Sequence, residues 1–495
     1  MKYLKYSLLI VTLFVIFSCN KFLDEKPYSE LTSENFWKSE QDAYSGVVAF
    51  YSSFSSAMSI HYWSWGEVRA DNFIPHGSAA ETRAELIENR FMVTHDACAW
   101  TGLYKTIGHA NLVLKYIPRI EMPSATRNRY LAEAYAMRAI CYLYLIKVWG
   151  DVPIFTEPVE STKGNMFRSR ESVQKVVDEI IMPDLANAEY LMPTDIPTLP
   201  VGEFDSPKNR FNIISIYAIM MDLYSWIGGR YNMRNGYELL KEVYENKYIV
   251  AVSANSSEYG FDDNAVGDSW ADIFRERVKD RDSESSLWPK SPAYRVKEHI
   301  FTISYDRYTN GENASKSNFV GGNYYLQLST SLITEAQRDP QDKRMSAIHQ
   351  SGSEKAFKWH AKGVSSEADG DVDLIVYRAT EMDLLYAEAL NALDYRVEAV
   401  NIMNKVRKRA QNSNSNYFDA ANYPVADDLV DDLLYERRME FMMEGKRWFD
   451  LVRLNRWYEV MNPINGMTDG EHNMVFPVHR DHLLQNPKLE QTPGY

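Results

Sequence analysis

The stretch Trp100-Thr-Gly-Leu-Tyr-Lys-Thr-Ile-Gly-His-Ala-Asn-Leu-Val-Leu-Lys-Tyr-Ile117 sets the fold class. Leu103, Tyr104, Ile107, Ala110, Val113, Leu114 and Ile117 recur at steps of three and four, the period of a helix with one apolar face. Pro118 stops it, because proline cannot continue the hydrogen-bond ladder. Ser124 then reads as the N-cap of a second helix running to about Val148, with Leu131, Ala134, Tyr135, Arg138, Cys141, Tyr142 and Leu145 on one face. Gly150-Asp-Val-Pro153 breaks it. Further helices are expected over 172–191, 213–227, 234–245, 379–392, 396–409 and 427–445, with a shorter one over 40–54. Paired helices of this length cannot each bury a face alone, which points to a mainly α, helical-repeat scaffold. A strict tetratricopeptide pattern is not legible. An irregular helical domain is the alternative reading.

Between about 249 and 373 the texture changes. Gly, Ser, Asn and Asp become frequent and short strand-like pieces such as His299–Tyr305 appear, so a loop-rich insert is expected between scaffold segments 30–248 and 374–495. Trp270, Trp288, Tyr305, Tyr308, Tyr324, Tyr325 and Trp359 fall in it. A second aromatic stretch, His61 to Asn72, reads as a loop carrying Trp63, Trp65, Glu67, Arg69, Asp71 and Asn72. A sugar ring offers an apolar C–H face and a rim of hydroxyls, so its recognition needs exposed aromatic rings beside a few fixed polar groups. Loops on a rigid scaffold are where such groups are usually displayed. Trp63, Trp65, Arg69, Asp71, Asn72, Trp270, Trp288, Tyr305, Tyr308, Tyr324 and Tyr325 are therefore the candidate ligand-binding residues.

The formal charge of −14 over 495 residues, with no basic run, argues against a nucleic-acid partner. Lys2 and Lys5 precede an apolar run from Tyr6 to Phe17 that is short for a membrane span, and Cys19 follows Ser18. Residues 1–18 read as a secretory signal ahead of a lipid-attachment cysteine, Cys19, so the membrane is met through a lipid anchor only. A plain signal peptide with an incidental cysteine is the alternative. Cys141 reads as a small buried hydrophobe, and Cys98 is left open. The three cysteines have no zinc or redox spacing. Asp369-Gly-Asp371-Val-Asp373 opens like a calcium loop. Leu374 stands where such a loop needs glycine, however, and Thr380 where it needs glutamate. A solvated turn is expected, with no metal and no cofactor.

Taken together, several segments resemble the SusD/RagB family of nutrient-binding outer-membrane lipoproteins. They are Cys19-Asn-Lys-Phe-Leu-Asp-Glu-Lys-Pro27; the Trp100 helix; Ala132 to Pro153; Tyr377-Arg378 with Leu384-Leu-Tyr-Ala-Glu-Ala389; Val406-Arg-Lys-Arg-Ala410; Glu436-Arg-Arg-Met-Glu-Phe441 through Glu444-Gly-Lys-Arg-Trp-Phe-Asp-Leu451; and Asn486-Pro-Lys-Leu-Glu-Gln-Thr-Pro-Gly-Tyr495, where Thr492 replaces the family's asparagine. The resemblance covers essentially the whole chain. It implies a tetratricopeptide-like scaffold forming a single domain from 19 to 495. It also implies a surface-facing outer-membrane lipoprotein that captures oligosaccharide or polysaccharide, and a TonB-dependent, SusC-like barrel as partner. Some relatives take peptides or other nutrients.

The charged residues of the Glu436–Asp450 stretch read as structural, paired along their own helix at three- and four-residue steps. A glycoside hydrolase needs two carboxylates facing across a cleft, and no sequence spacing singles out such a pair, so no catalytic residue is expected. A helical scaffold that binds only protein is the third reading.

Overall fold

The computed structural model describes residues 36–77, 81–160, 166–194, 208–233, 235–262, 297–305, 314, 316–320, 324–349, 355, 356, 358, 359, 373–411 and 417–495. The fold is mainly α. Its first helix, α1 (Glu40–Gly66), begins at Ser39. The Ser39 hydroxyl accepts from the Asp42 backbone N–H while the Asp42 carboxylate accepts from that of Ser39. After β1 (Phe73–Pro75) and α2 (Glu81–Ile87) come α3 (Thr101–Tyr116) and α4 (Ser124–Trp149). The next helices are α5 (Met182–Leu191), α6 (Ile213–Tyr231) and α7 (Gly236–Val243). The pairs α1 with α3, α4 with α5, and α6 with α7 pack together as a tetratricopeptide-like scaffold.

At α4 the structure departs from expectation twice. Pro123, not Ser124, stands at the N-cap of α4, without a side-chain cap. And α4 is not buried on one face: from Ala132 to Trp149 every residue except Tyr135 is buried, because α1, α3, α5 and α6 pack around it. Its internal charges are paired. Arg138 donates twice to Asp184 at 2.7 Å, Lys147 meets Asp222 at 3.0 Å, and Glu133 accepts from Arg210 at 2.7 Å.

The strands β2 (His299–Ile303), β3 (Leu326–Leu328) and β4 (Leu374–Arg378) tie the middle of the chain to both ends of the scaffold. β3 pairs antiparallel with β1, Leu328 opposite Phe73, and β2 pairs antiparallel with β4. The calcium-loop alternative fails on the described side: Leu374 opens a buried strand and Thr380 is buried. After β4 come α8 (Ala379–Ala392) and α9 (Arg396–Gln411), another packed pair, then α10 (Ala426–Phe441) and α11 (Arg447–Arg453).

The helix expected over 427–445 stops at Phe441 because the next turn has another task. Met443 and Gly445 both take positive φ, +68° and +66°. Gly445 meets Gly66 so closely that a Cβ on Gly66 would lie 1.8 Å from the Gly445 carbonyl oxygen. The end of α1 and this turn are thus joined backbone to backbone.

The charged row there does not pair along its own helix as expected. Arg437 donates to Asp450 at 2.8–2.9 Å, thirteen residues on. Glu440 holds Arg344 and Arg378, and Glu444 holds Lys358 and Arg378. Asp450 with Arg453 is the one-turn exception. The reason is burial. A desolvated charge needs full pairing, and only distant segments surround these groups closely enough to supply it.

Candidate functional site

The two aromatic stretches have different fates. Residues 61–72 are not a loop. α1 continues through Gly66, and the turn after it dives into the core. Trp63 and Trp65 are 0% and 1% exposed, their indole N–H groups donating to the carbonyls of Met443 (2.8 Å) and Ala97 (2.9 Å). Arg69, equally buried, lies 4.5 Å from the Trp448 and Phe476 ring centroids and 5.0 Å from Phe91. It donates to Asn89 and to the Asn473 carbonyl.

Asp71 accepts from Arg447 and faces Arg438. Asn72 takes a hydrogen bond from Arg438 and gives one to Glu67 at 2.6 Å. These residues weld the end of α1 to the Phe441–Arg447 turn, and a ligand platform built from Trp63, Trp65, Arg69, Asp71 and Asn72 is ruled out by their burial. Their polar types look like a turn in sequence because their partners lie some four hundred residues away.

Of the second group, Trp270, Trp288 and Tyr308 lie outside the described residues, as does Cys19. Tyr305 is buried, with its hydroxyl donating to the Ser55 carbonyl at 2.7 Å. Trp359 is buried too and donates to the Met443 carbonyl. Tyr324 is buried as well, at 6% exposed, so among the described rings of this group Tyr325 is the one left partly open; the two sit where the chain enters β3.

Tyr324 stacks on the His76 imidazole, centroids 3.9 Å apart and planes within 5°. The His76 backbone N–H donates to the Tyr325 carbonyl at 2.8 Å, extending the β1–β3 ribbon. Lys355 holds its ammonium 5.6 Å from the Tyr324 ring. Tyr325 is half-buried, with the Arg83 guanidinium 6.0 Å from its centroid, and Arg83 Nε donates to Asn318 Oδ1 at 3.2 Å.

Behind this strip His61 stacks on Trp65 at 4.9 Å. Burial pushes its pKa down to about 4, against an upward pull from Asp96 and with a further downward push from Arg83. Burial also lowers the Arg83 guanidinium. The strip thus offers a partly exposed ring and a guanidinium clamped by an amide, beside the His76 imidazole. Such a set has the chemistry to stack against a C–H face and donate to hydroxyls.

His76, Arg83, Asn318 and Lys355 were not among the sequence candidates. His76 had a signal, since it directly follows the short β-type run Phe73-Ile-Pro75. Among the described residues no group of three His, Cys, Asp or Glu is placed to hold a metal ion, and no helix is long and apolar enough to cross a membrane. Cys98 and Cys141 are free and buried, which lifts the Cys98 thiol to about 12.

Two family profiles match, one described as the SusD family over residues 301–495, the other as starch-binding associating with outer membrane over 21–224. SusD-like protein P38 of Formosa agariphila is 29% identical across 99% of this chain and 98% of its own. Among solved structures, a SusD superfamily protein from Parabacteroides distasonis superposes with a TM-score of 0.72 at 21% identity, covering 94% of this chain and 100% of its own. B. fragilis NanU gives 0.70 at 21%, covering 95% and 99%. The two profiles flank the middle of the chain, the P38 match spans it, and the fold agrees throughout: the chain belongs to the SusD/RagB family.

Proposed function

We propose that this chain captures oligosaccharide or polysaccharide at the outer face of an outer membrane, held there by acyl chains on Cys19, and passes it to a TonB-dependent, SusC-like barrel. The observation that carries the capture step is the Tyr325 ring under Arg83, next to the His76–Tyr324 stack. His76, Tyr324 and Tyr325 flank the two-stranded β1–β3 ribbon, and Arg83 reaches them from α2. A ring and its donors fixed on hydrogen-bonded backbone lose little freedom when a ligand arrives. The family description of starch binding and outer-membrane association supports the ligand class and the location. Capture without turnover fits the strip, whose groups are a phenol, a guanidinium, an amide and an imidazole rather than two opposed carboxylates.

The test is a glycan panel titrated into the chain from Asn20 onward by affinity electrophoresis and calorimetry, with product analysis on the same samples. Saturable binding that Arg83→Ala and Tyr325→Ala each weaken, with no new reducing ends, is the expected result. Shorter products would make the chain an enzyme. Silence across the panel would move the cargo to peptides or leave only protein docking.

A further inference from the structure

A second concave site lies elsewhere, built from residues the capture strip does not use. After α4 two described segments, 150–160 and 166–172, lie side by side. They are tied to each other and to α4: Val152 and Glu171 exchange backbone hydrogen bonds of 3.0 and 3.1 Å, and the Phe155 N–H donates to the buried Tyr142 hydroxyl at 2.7 Å. The C-terminal segment closes one side, where the Asn486 amide donates to the Arg168 carbonyl at 2.8 Å. Between these segments and the helix beginning at Val173 is a cleft of about 280 Å3, room for one or two sugar units. Its walls therefore stand before any ligand arrives.

Its chemistry is unlike that of the chain as a whole. Phe167 is 42% exposed at the cleft, and Thr156 and Ser169 add hydroxyls. Three cations line it, Arg168, Lys175 and Lys488, against Glu171 and Glu179. Lys175 and Glu171 satisfy each other at 3.0 Å. Arg168 lies 6.0 Å from the Phe155 ring centroid and, like Lys488, has no carboxylate partner among the described residues. On a chain of charge −14 this is a local positive cleft with an aromatic wall.

We propose that it is a second binding site and takes an acidic sugar unit, uronate or sulfated, with its ring face on Phe167 and its anionic group between Arg168 and Lys488. Guanidinium and ammonium both suit an anionic oxygen group. Glu179 at the rim opposes a compact inorganic dianion but accepts from sugar hydroxyls. The chain's net charge of −14 disfavours an acidic polymer overall, which the Arg168 and Lys488 cations offset locally. The word sugar rests on the capture reading; the charge preference rests on the cleft.

The test is calorimetry of the chain from Asn20 with tetragalacturonide and with a sulfated carrageenan tetrasaccharide, each beside neutral maltotetraose, at about 20 mM and about 500 mM salt. Arg168 and Lys488 are exposed, so the double variant Arg168→Ala/Lys488→Ala keeps the fold, which an unchanged melting curve verifies. The expected result is at least one acidic probe bound about tenfold more weakly by the double variant, and likewise weakened by high salt, with maltotetraose unchanged. Acidic-probe binding that the double variant leaves intact overturns the proposal. So does an equal loss of maltotetraose, or no binding of either acidic probe. Failure of the capture strip reads separately, as wild-type affinity of Arg83→Ala/Tyr325→Ala for every probe that binds.

Discussion

Residues 61–72 and 316–328 look alike as text: aromatic rings interleaved with Asn, Asp, Ser, Arg or Gly. In the folded chain they part company. In the first, Trp63 and Trp65 are sealed, and Glu67, Arg69, Asp71 and Asn72 meet partners on α10, the Phe441–Arg447 turn or the Asn473 segment. In the second, the β1–β3 ribbon fixes the backbone but leaves Tyr325 half open under Arg83. What separates them is how many buried partners the rest of the chain supplies. A stretch met by arginines from α10 and α11 becomes a joint. One paired with a short strand leaves a single ring, Tyr325, half open.

The hardest way to strain that contrast is to remove a charge from the joint. Asp71→Ala strands the buried Arg447 and leaves Arg438 with Glu335 as its carboxylate, and truncating one partner of a buried pair costs about 3–5 kcal/mol. Denaturant unfolding should show that loss, or failure to fold. A loss below about 1 kcal/mol would mean the joint is wetter than its burial indicates.

The same joint carries two carboxylates with opposite pH behaviour. Burial raises the Glu67 carboxyl to about 7, since it accepts only N–H groups, from Asn72, Met443 and Lys446. At Asp71 burial pushes upward as well, but Arg447 and Arg438 outweigh it and hold the carboxyl at about 2. Glu67 keeps its proton in the fold where the unfolded chain, at 4.5, has lost it. Its contribution is therefore complete below pH 4.5 and disappears as pH rises through 7, worth roughly 3 kcal/mol at 1.36 per unit. The Asp71 contribution is present above 3.8 and is lost as pH falls through 2. Unfolding free energy measured from pH 5 to 8 should fall in wild type, and Glu67→Gln should flatten that slope. An unchanged slope in the variant would assign it to another group.

A gentler cut tests whether the buried rings serve packing alone. Trp63→Phe removes one donor to the Met443 carbonyl, which Trp359 still serves at 2.9 Å, so the loss should be about 1–2 kcal/mol of stability. Glycan affinity of the folded variant should stay at the wild-type value. A drop in affinity without a drop in stability would return residues 61–72 to the binding surface.

How much of this was legible follows from the range of the interactions. The helix pairs were readable because periodicity is local: α8 was placed at 379–392, as found. Cys141 was readable from its neighbours. The extension of α1 to Gly66 was not, because Trp63, Trp65 and Glu67 are committed by Met443, Ala97 and Lys446, far along the chain. The Glu436–Asp450 charges were rightly read as structural, but their partners were misplaced for the same reason. At the candidate site Tyr324 and Tyr325 were visible as types. His76 and Arg83 become neighbours of those rings only once β1 pairs with β3, and no local pattern announces that pairing.

The smallest expected effect on stability is the sharpest for function. Tyr325 is half-buried at the edge of the core, so Tyr325→Ala should change unfolding free energy by about 1 kcal/mol or less. If the ring is a stacking platform, the same change should weaken glycan binding about tenfold, near 1.4 kcal/mol. Tyr325→Phe keeps the ring and should keep most of that affinity. The comparison with Trp63→Phe then crosses over: one variant loses stability and not affinity, the other affinity and hardly any stability. If instead Tyr325→Ala lost both together, the ring would be packing like Trp63. The capture face would then have to be sought among residues other than those of the β1–β3 ribbon.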